Sequence, residues 1–133
     1  VENLPHTPYT GIGLNFTWHI KPETESQLEA LSRHLFFVSD STLCKEFDTD
    51  DARFGAYFSR NMLDRRLKLD AKPVTLLTES GRVGAMQFAF NFHRDIDKVE
   101  DSVAVIRASL GTWSAAFNES SRLMQLVSER GLV

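Results

Sequence analysis

Apolar and polar residues alternate without a break from Gly11 to Ile20. Ile12, Leu14, Phe16, Trp18 and Ile20 fall on one side of an extended chain, and Gly11, Gly13, Asn15, Thr17 and His19 on the other. This period of two predicts a half-buried strand. Over 24–38 the period lengthens. Leu28, Leu31, Leu35 and Val38 follow helical spacing. Thr24 with Gln27 matches a capping box, Pro22 stands just before the entry, and the helix is expected to end near Ser39–Asp40.

Residues 40–53 carry no clear period. The run Asp48-Thr49-Asp50-Asp51 has the look of a calcium loop, but Arg53 stands where the turn needs glycine and Ser59 where the bidentate Glu belongs. An acidic turn in solvent is the reading that remains. From 54 to 92 the chain reads as strands and turns. "FGAYFSRN", "RRLKLD" and "VTLLT" are the extended pieces. Pro73 marks "DAKP" (70–73) as a turn or bulge, since it cannot donate to a ladder. "ESGR" (79–82) is a tight-turn signal that pairs 74–78 with 83–92 as a hairpin. In that last strand Phe88, Phe90 and Phe92 share one face, and Ala85, Gln87, Ala89, Asn91 and His93 the other.

A second helical stripe follows. Asp97 with Glu100 forms a capping signature, and Val99, Val103, Ile106, Leu110, Trp113 and Phe117 keep phase through Gly111. The phase falters at Ser120-Ser121. A straight helix over 98–130 would be about 50 Å long, against a radius of gyration of about 14 Å for a domain of this size. A break near 118–121, or an overhang that meets a partner, is therefore expected.

The order strand, helix, strands, long helix predicts one α+β domain over 1–133. Its antiparallel sheet has four to five strands and carries both helices on one face. Helix-grip and TATA-binding-protein-like architectures share this order, a likeness of topology that carries no function. The first ten residues, "VENLPHTPYT", hold two of the four prolines and read as an extended lead-in, consistent with a trimmed chain or the C-terminal part of a longer protein.

Composition narrows the classes. With 42% hydrophobic and 25% charged residues the chain fits a soluble globular domain, and ten of its residues are Phe, which weights the core towards aromatic packing. The net charge is −3, both signs are dispersed, and no apolar run is long enough for a membrane span. Nucleic-acid and membrane partners are not expected. The lone Cys44 fits a reducing, cytoplasmic setting. Arg60, Arg65, Arg66, Lys68 and Lys72 form the one basic density, read as a charged outer strand that blunts edge pairing.

No reaction motif is present: no nucleophile elbow, no P-loop, no paired metal-ligand spacing. His19 and His93, with His6 or Asp95 as a third group, lack such spacing, so no catalytic residue, metal or cofactor is assigned. Neither the first strand's polar face nor the last strand's carries Lys, Arg, Asp or Glu. Small, neutral, hydrogen-bonding groups suit a surface that something approaches closely. Asn15, Thr17, His19, Gln87, Asn91 and His93 are the binding candidates. The function expected is a non-catalytic binding or assembly module that self-associates or takes a protein partner. The alternative is a small-molecule domain with a cavity between sheet and C-terminal helix, lined by Trp18, Phe90 and Trp113.

Overall fold

The computed structural model describes residues 11–95 and 102–131. The lead-in with His6 and the Asp97–Glu100 signature lie outside them. The elements are β1 (Gly11–Ile20), α1 (Glu25–Phe36), α2 (Thr42–Glu46), β2 (Ala56–Met62), β3 (Arg65–Thr78), β4 (Gly81–Asp95), α3 (Ser102–Gly111) and α4 (Trp113–Gly131). The four strands form one antiparallel sheet in the order β1-β4-β3-β2. The α+β class and the antiparallel sheet are as the periodicity predicts.

Register explains the core. Trp18 faces Phe88, Phe16 faces Phe90 and Leu14 faces Phe92 across β1–β4, while Ala71, Leu69 and Leu67 continue the same rows on β3. Paired residues point to one side of a sheet, so these rows build one apolar surface. Leu28 and Leu31 of α1 and Ala116 and Met124 of α4 close over it. Full burial of each such Phe or Leu contributes about 1.5–3 kcal/mol.

The capping box forms at the predicted residues. Gln27 N–H donates to the Thr24 hydroxyl at 3.1 Å, and Thr24 N–H donates to Gln27 Oε1 at 3.3 Å. The helix ends at Phe36, short of Ser39–Asp40, and Val38 is left exposed. Residues 42–46 form the short α2, capped by the Ser41 hydroxyl, for which the apolar pattern gave no sign.

Two expectations are corrected. "DAKP" is neither turn nor bulge: β3 runs unbroken through Pro73, which pairs with Met86. The β2 ladder ends at the Ala56–Ala71 pair, so beyond Ala71 one edge of β3 has no β2 strand beside it. A proline on such an edge removes no ladder bond. The long helix does not break near 118–121. It breaks at Thr112, directly after Gly111, and α4 is continuous through Ser120. Gly111 weakens the helix at the break, and the Thr112 carbonyl accepts Ala116 N–H at 3.1 Å to start the next one. Ser120 is polar for another reason: it is buried against β1, accepts Trp18 Nε1–H at 3.3 Å and donates to the Phe117 carbonyl at 2.8 Å.

The β2–β3 hairpin turns on Leu63 and Asp64, each at φ 55°. A two-residue turn with positive φ at both positions favours Asn and Gly. Asp tolerates this region, but Leu is strained there. Leu63→Asn should therefore stabilise the domain by about 1 kcal/mol, read as a higher urea midpoint at unchanged slope. An unchanged midpoint would show that the turn carries no strain.

Candidate functional site

The face of the sheet opposite the helices is built in rows. One row is Thr17–Ala89–Asp70–Tyr57 and the next is Asn15–Asn91–Lys68–Ser59. The six binding candidates all lie on this face. Five of them are hydrogen-bonded: Asn91 Nδ2 donates to Asn15 Oδ1 at 2.5 Å, His19 Nε2 lies 3.1 Å from Gln87 Oε1, and His93 Nε2 lies 2.8 Å from Asp95 Oδ1. Asn15, Thr17 and His19 are exposed; Gln87, Asn91 and His93 are half-buried.

The glycines of β1 follow from these contacts. A Cβ on Gly11 would come within 2.7 Å of the His93 ring, and one on Gly13 within 2.8 Å of Asn91 Nδ2. β1 is small there because β4 lays its side chains across it. Gly11→Ala should push the His93 ring away and lengthen its contact to Asp95, with stability changed by less than about 0.5 kcal/mol, since the ring end is free to swing outward. The His93 imidazole NMR shifts would report this. Shifts identical to wild type would show that the ring does not lie across Gly11.

Ala89 is different. A hollow of about 180 Å³ stands over it, with Asn15, Thr17 and Asn91 on one side and Tyr57, Lys68 and Asp70 on the other. The neutral part of the face thus covers β1 and β4 as far as His93, with Asp95 at its end. β3 adds Arg66, Lys68, Asp70 and Lys72 to the same surface, with Lys72 Nζ 3.7 Å from Asp70 Oδ2. Over 65–71 β3 lies between β2 and β4, so the basic cluster is not an outer strand, which corrects that reading; only Arg60 lies on the edge strand β2. Tyr57, Lys68 and Asp70 escaped the sequence reading because their register was undefined, although Arg66, Lys68 and Asp70 already alternate in the sequence.

His19 and His93 occupy adjacent strands but opposite ends. His93 pairs with Gly13, six residues from His19 along β1, which is about 20 Å. They share no point at which a metal or substrate atom could sit. In the acidic turn Thr49 Oγ1 donates to Asp51 Oδ1 at 2.7 Å and holds that carboxyl below its usual range, while Asp48 pairs with Arg33 at 2.7 Å. Among the described residues no group of three His, Cys, Asp or Glu gathers at one point, and no helix is long and apolar enough to cross a membrane.

Among the described residues, Trp18 and Trp113 pack through a cluster of rings. Trp113 stacks on Phe117 with centroids 5.4 Å apart, Phe117 lies 5.8 Å from Trp18, and Phe16 meets Trp113 at 5.2 Å. These rings link β1 to α4, and Phe90 is buried in the core. Compared with protein-family models, curated proteins and solved structures, the chain matches none. Function is therefore argued from the site alone.

Proposed function

We propose that the protein is a non-catalytic binding and assembly module that docks a protein surface on the open face of its sheet, with one partner side chain seated over Ala89. The hollow over Ala89 carries this reading. At about 180 Å³ it is smaller than the roughly 300–1,000 Å³ of small-molecule sites and near the roughly 150 Å³ that accepts a single benzene ring. Asn15 and Asn91 satisfy each other beside it, so that pair is not stranded when a partner covers it, while Thr17, Tyr57 and Lys68 offer hydrogen-bonding groups to the partner.

A second copy of this chain is the partner with most support. Lys68 and Asp70 stand on adjacent rows of the face, so two copies related by a two-fold axis can oppose their charges. β1, at the end of the sheet, contributes ten residues without a charge or proline. Sedimentation at about 50 μM, well above a micromolar Kd, should show a dimer. Ala89→Glu should be monomeric with its thermal midpoint within a degree or two of wild type, because a carboxylate there is solvated in the monomer and desolvated in the contact. A wild-type protein that sediments as a monomer at this concentration removes the self-association. An Ala89→Glu protein that unfolds would show that the face is covered by the chain itself.

A further inference from the structure

The outer edge of a sheet needs a defence or a partner, because its unpaired N–H and C=O groups can take up another extended chain. Two edge stretches of this sheet are defended. β2 is seven residues long and carries Arg60, and the part of β3 that β2 leaves uncovered carries Lys72 and Pro73. β1 has no such device. It is ten residues long, holds no charge and no proline, and pairs with β4 residue for residue without a bulge. Among the described residues its main chain takes part in no hydrogen bond outside the β4 ladder.

The surface above this edge is apolar as well. α4 lies over β1 on the helix side, where Trp113 meets Phe16 at 5.2 Å and Phe117 stacks on Trp18 at 5.8 Å. Phe88 and Phe90, one strand further in, are fully buried, yet Trp113 stays 47% exposed and Phe117 37%. The aromatic layer that is closed over β4 is thus left partly in water beside β1.

We propose that β1 pairs antiparallel with β1 of a second copy, which joins two four-stranded sheets edge to edge. Residues opposite each other in an antiparallel pair point to the same side. A two-fold axis through Phe16, normal to the sheet, therefore keeps apolar side chains beside apolar ones and polar beside polar. It sets Leu14 opposite Trp18, Asn15 opposite Thr17 and Gly13 opposite His19 of the other copy. Gly13 already faces His93 across β4, so the strand is built small where a ring comes alongside. An incoming strand that carried charges would have to desolvate them beside these neutral groups and rings, and β1 is the one described strand without Lys, Arg, Asp or Glu. That favours a second copy as the occupant. The contact is separate from the docking over Ala89, because its axis leaves the open face uncovered. Two-fold contacts at the edge and at the face, about perpendicular axes, close into a D2 tetramer. An edge is narrower than a face and belongs with the transient contacts that bury less than about 1,200 Å². Its Kd is accordingly expected at about 0.3 mM, weaker than the contact through the face.

The test is amide hydrogen exchange of the full chain, read residue by residue by NMR at about 50 μM and about 1 mM. Every second N–H of an antiparallel edge strand points away from its neighbour. Those alternate amides of β1 should exchange about threefold more slowly at the higher concentration, where about a third of the chains remain unpaired at this Kd. The amides between them, already bonded to β4, should not change. Ala89→Glu should show the same alternate slowing and sediment as a monomer at about 50 μM and a dimer at about 1 mM. Ile12→Lys sets an ammonium opposite Ile20 of the other copy and should remove the slowing; should it fail to fold, the wild-type exchange decides. Exchange at β1 that does not depend on concentration would overturn the proposal, as would slowing that persists in Ile12→Lys or an Ala89→Glu protein that grows past a dimer. A wild-type protein that shows the alternate slowing but stays monomeric at about 50 μM would remove the face contact and leave the edge contact standing.

Discussion

Phe90→Glu should unfold the domain outright. Phe90 is 2% exposed and lies between Phe16 on β1 and Leu69 on β3, beneath both packed helices. Removing the ring forfeits about 3–5 kcal/mol through lost burial and the space left behind. The carboxylate is then stranded in a layer whose nearest neighbours are Phe and Leu, or stays protonated at a further cost. The sum exceeds about 4 kcal/mol, against a typical domain stability of 5–15 kcal/mol. We expect a protein without a cooperative thermal transition, recovered in the insoluble fraction. Ala89→Glu, one residue away on the other face, should keep a wild-type circular dichroism spectrum. The contrast tests the assignment of faces: a folded Phe90→Glu protein would mean that the phenylalanine row is not the core.

Where one residue type repeats at a fixed period, the sequence is legible. β1 and β4 follow from strict alternation, because a sheet with one covered face leaves no other place for Phe16, Phe88, Phe90 and Phe92. The Thr24–Gln27 box fixes the start of α1 because two backbone donors there need side-chain acceptors. The β3–β4 hairpin follows from Ser80-Gly81, and Gly81 takes the φ of 116° that other residues resist. The rest depends on neighbours that a local pattern does not contain. Pro73 reads as a strand breaker until one knows that β2 stops at Ala56. Ser120 reads as a break in the apolar stripe until Trp18, 102 residues away, supplies its indole N–H. Arg65 reads as one of five cations in a solvated run, and only its partner rows place it under the helices. Period two places the six polar candidates on one face. The hollow itself is bounded as much by Tyr57, Lys68 and Asp70, which no local signal joined to them.

Ser32→Ala should destabilise the domain by about 2 kcal/mol, a large effect for the loss of a single oxygen. Nothing in the apolar stripe of α1 singles out Ser32, yet it is fully buried. Its hydroxyl donates to the Glu29 carbonyl at 3.0 Å and accepts the backbone N–H of Phe54 at 3.1 Å. That N–H belongs to the segment entering β2, so one hydroxyl ties the first helix to the far edge of the sheet. Phe54 is itself buried, with its ring against Phe37 at 5.4 Å and under the Arg33 guanidinium at 5.2 Å. The surrounding pairs, Arg33–Asp48 at 2.7 Å and Arg53–Glu25 at 2.5 Å, are exposed, and such pairs are worth about 0–1 kcal/mol each. The buried hydrogen bond is therefore the stronger tie. Alanine leaves the Phe54 N–H without an acceptor in a place closed to solvent, which costs more than the bond itself contributes. Urea unfolding should give a lower midpoint at an unchanged slope, and the Phe54 amide should exchange faster than its neighbours in β2 under native conditions. A loss below about 0.5 kcal/mol, the level of an ordinary surface substitution, with unchanged exchange at Phe54, would mean that α1 and the β2 entry are held by ring packing alone.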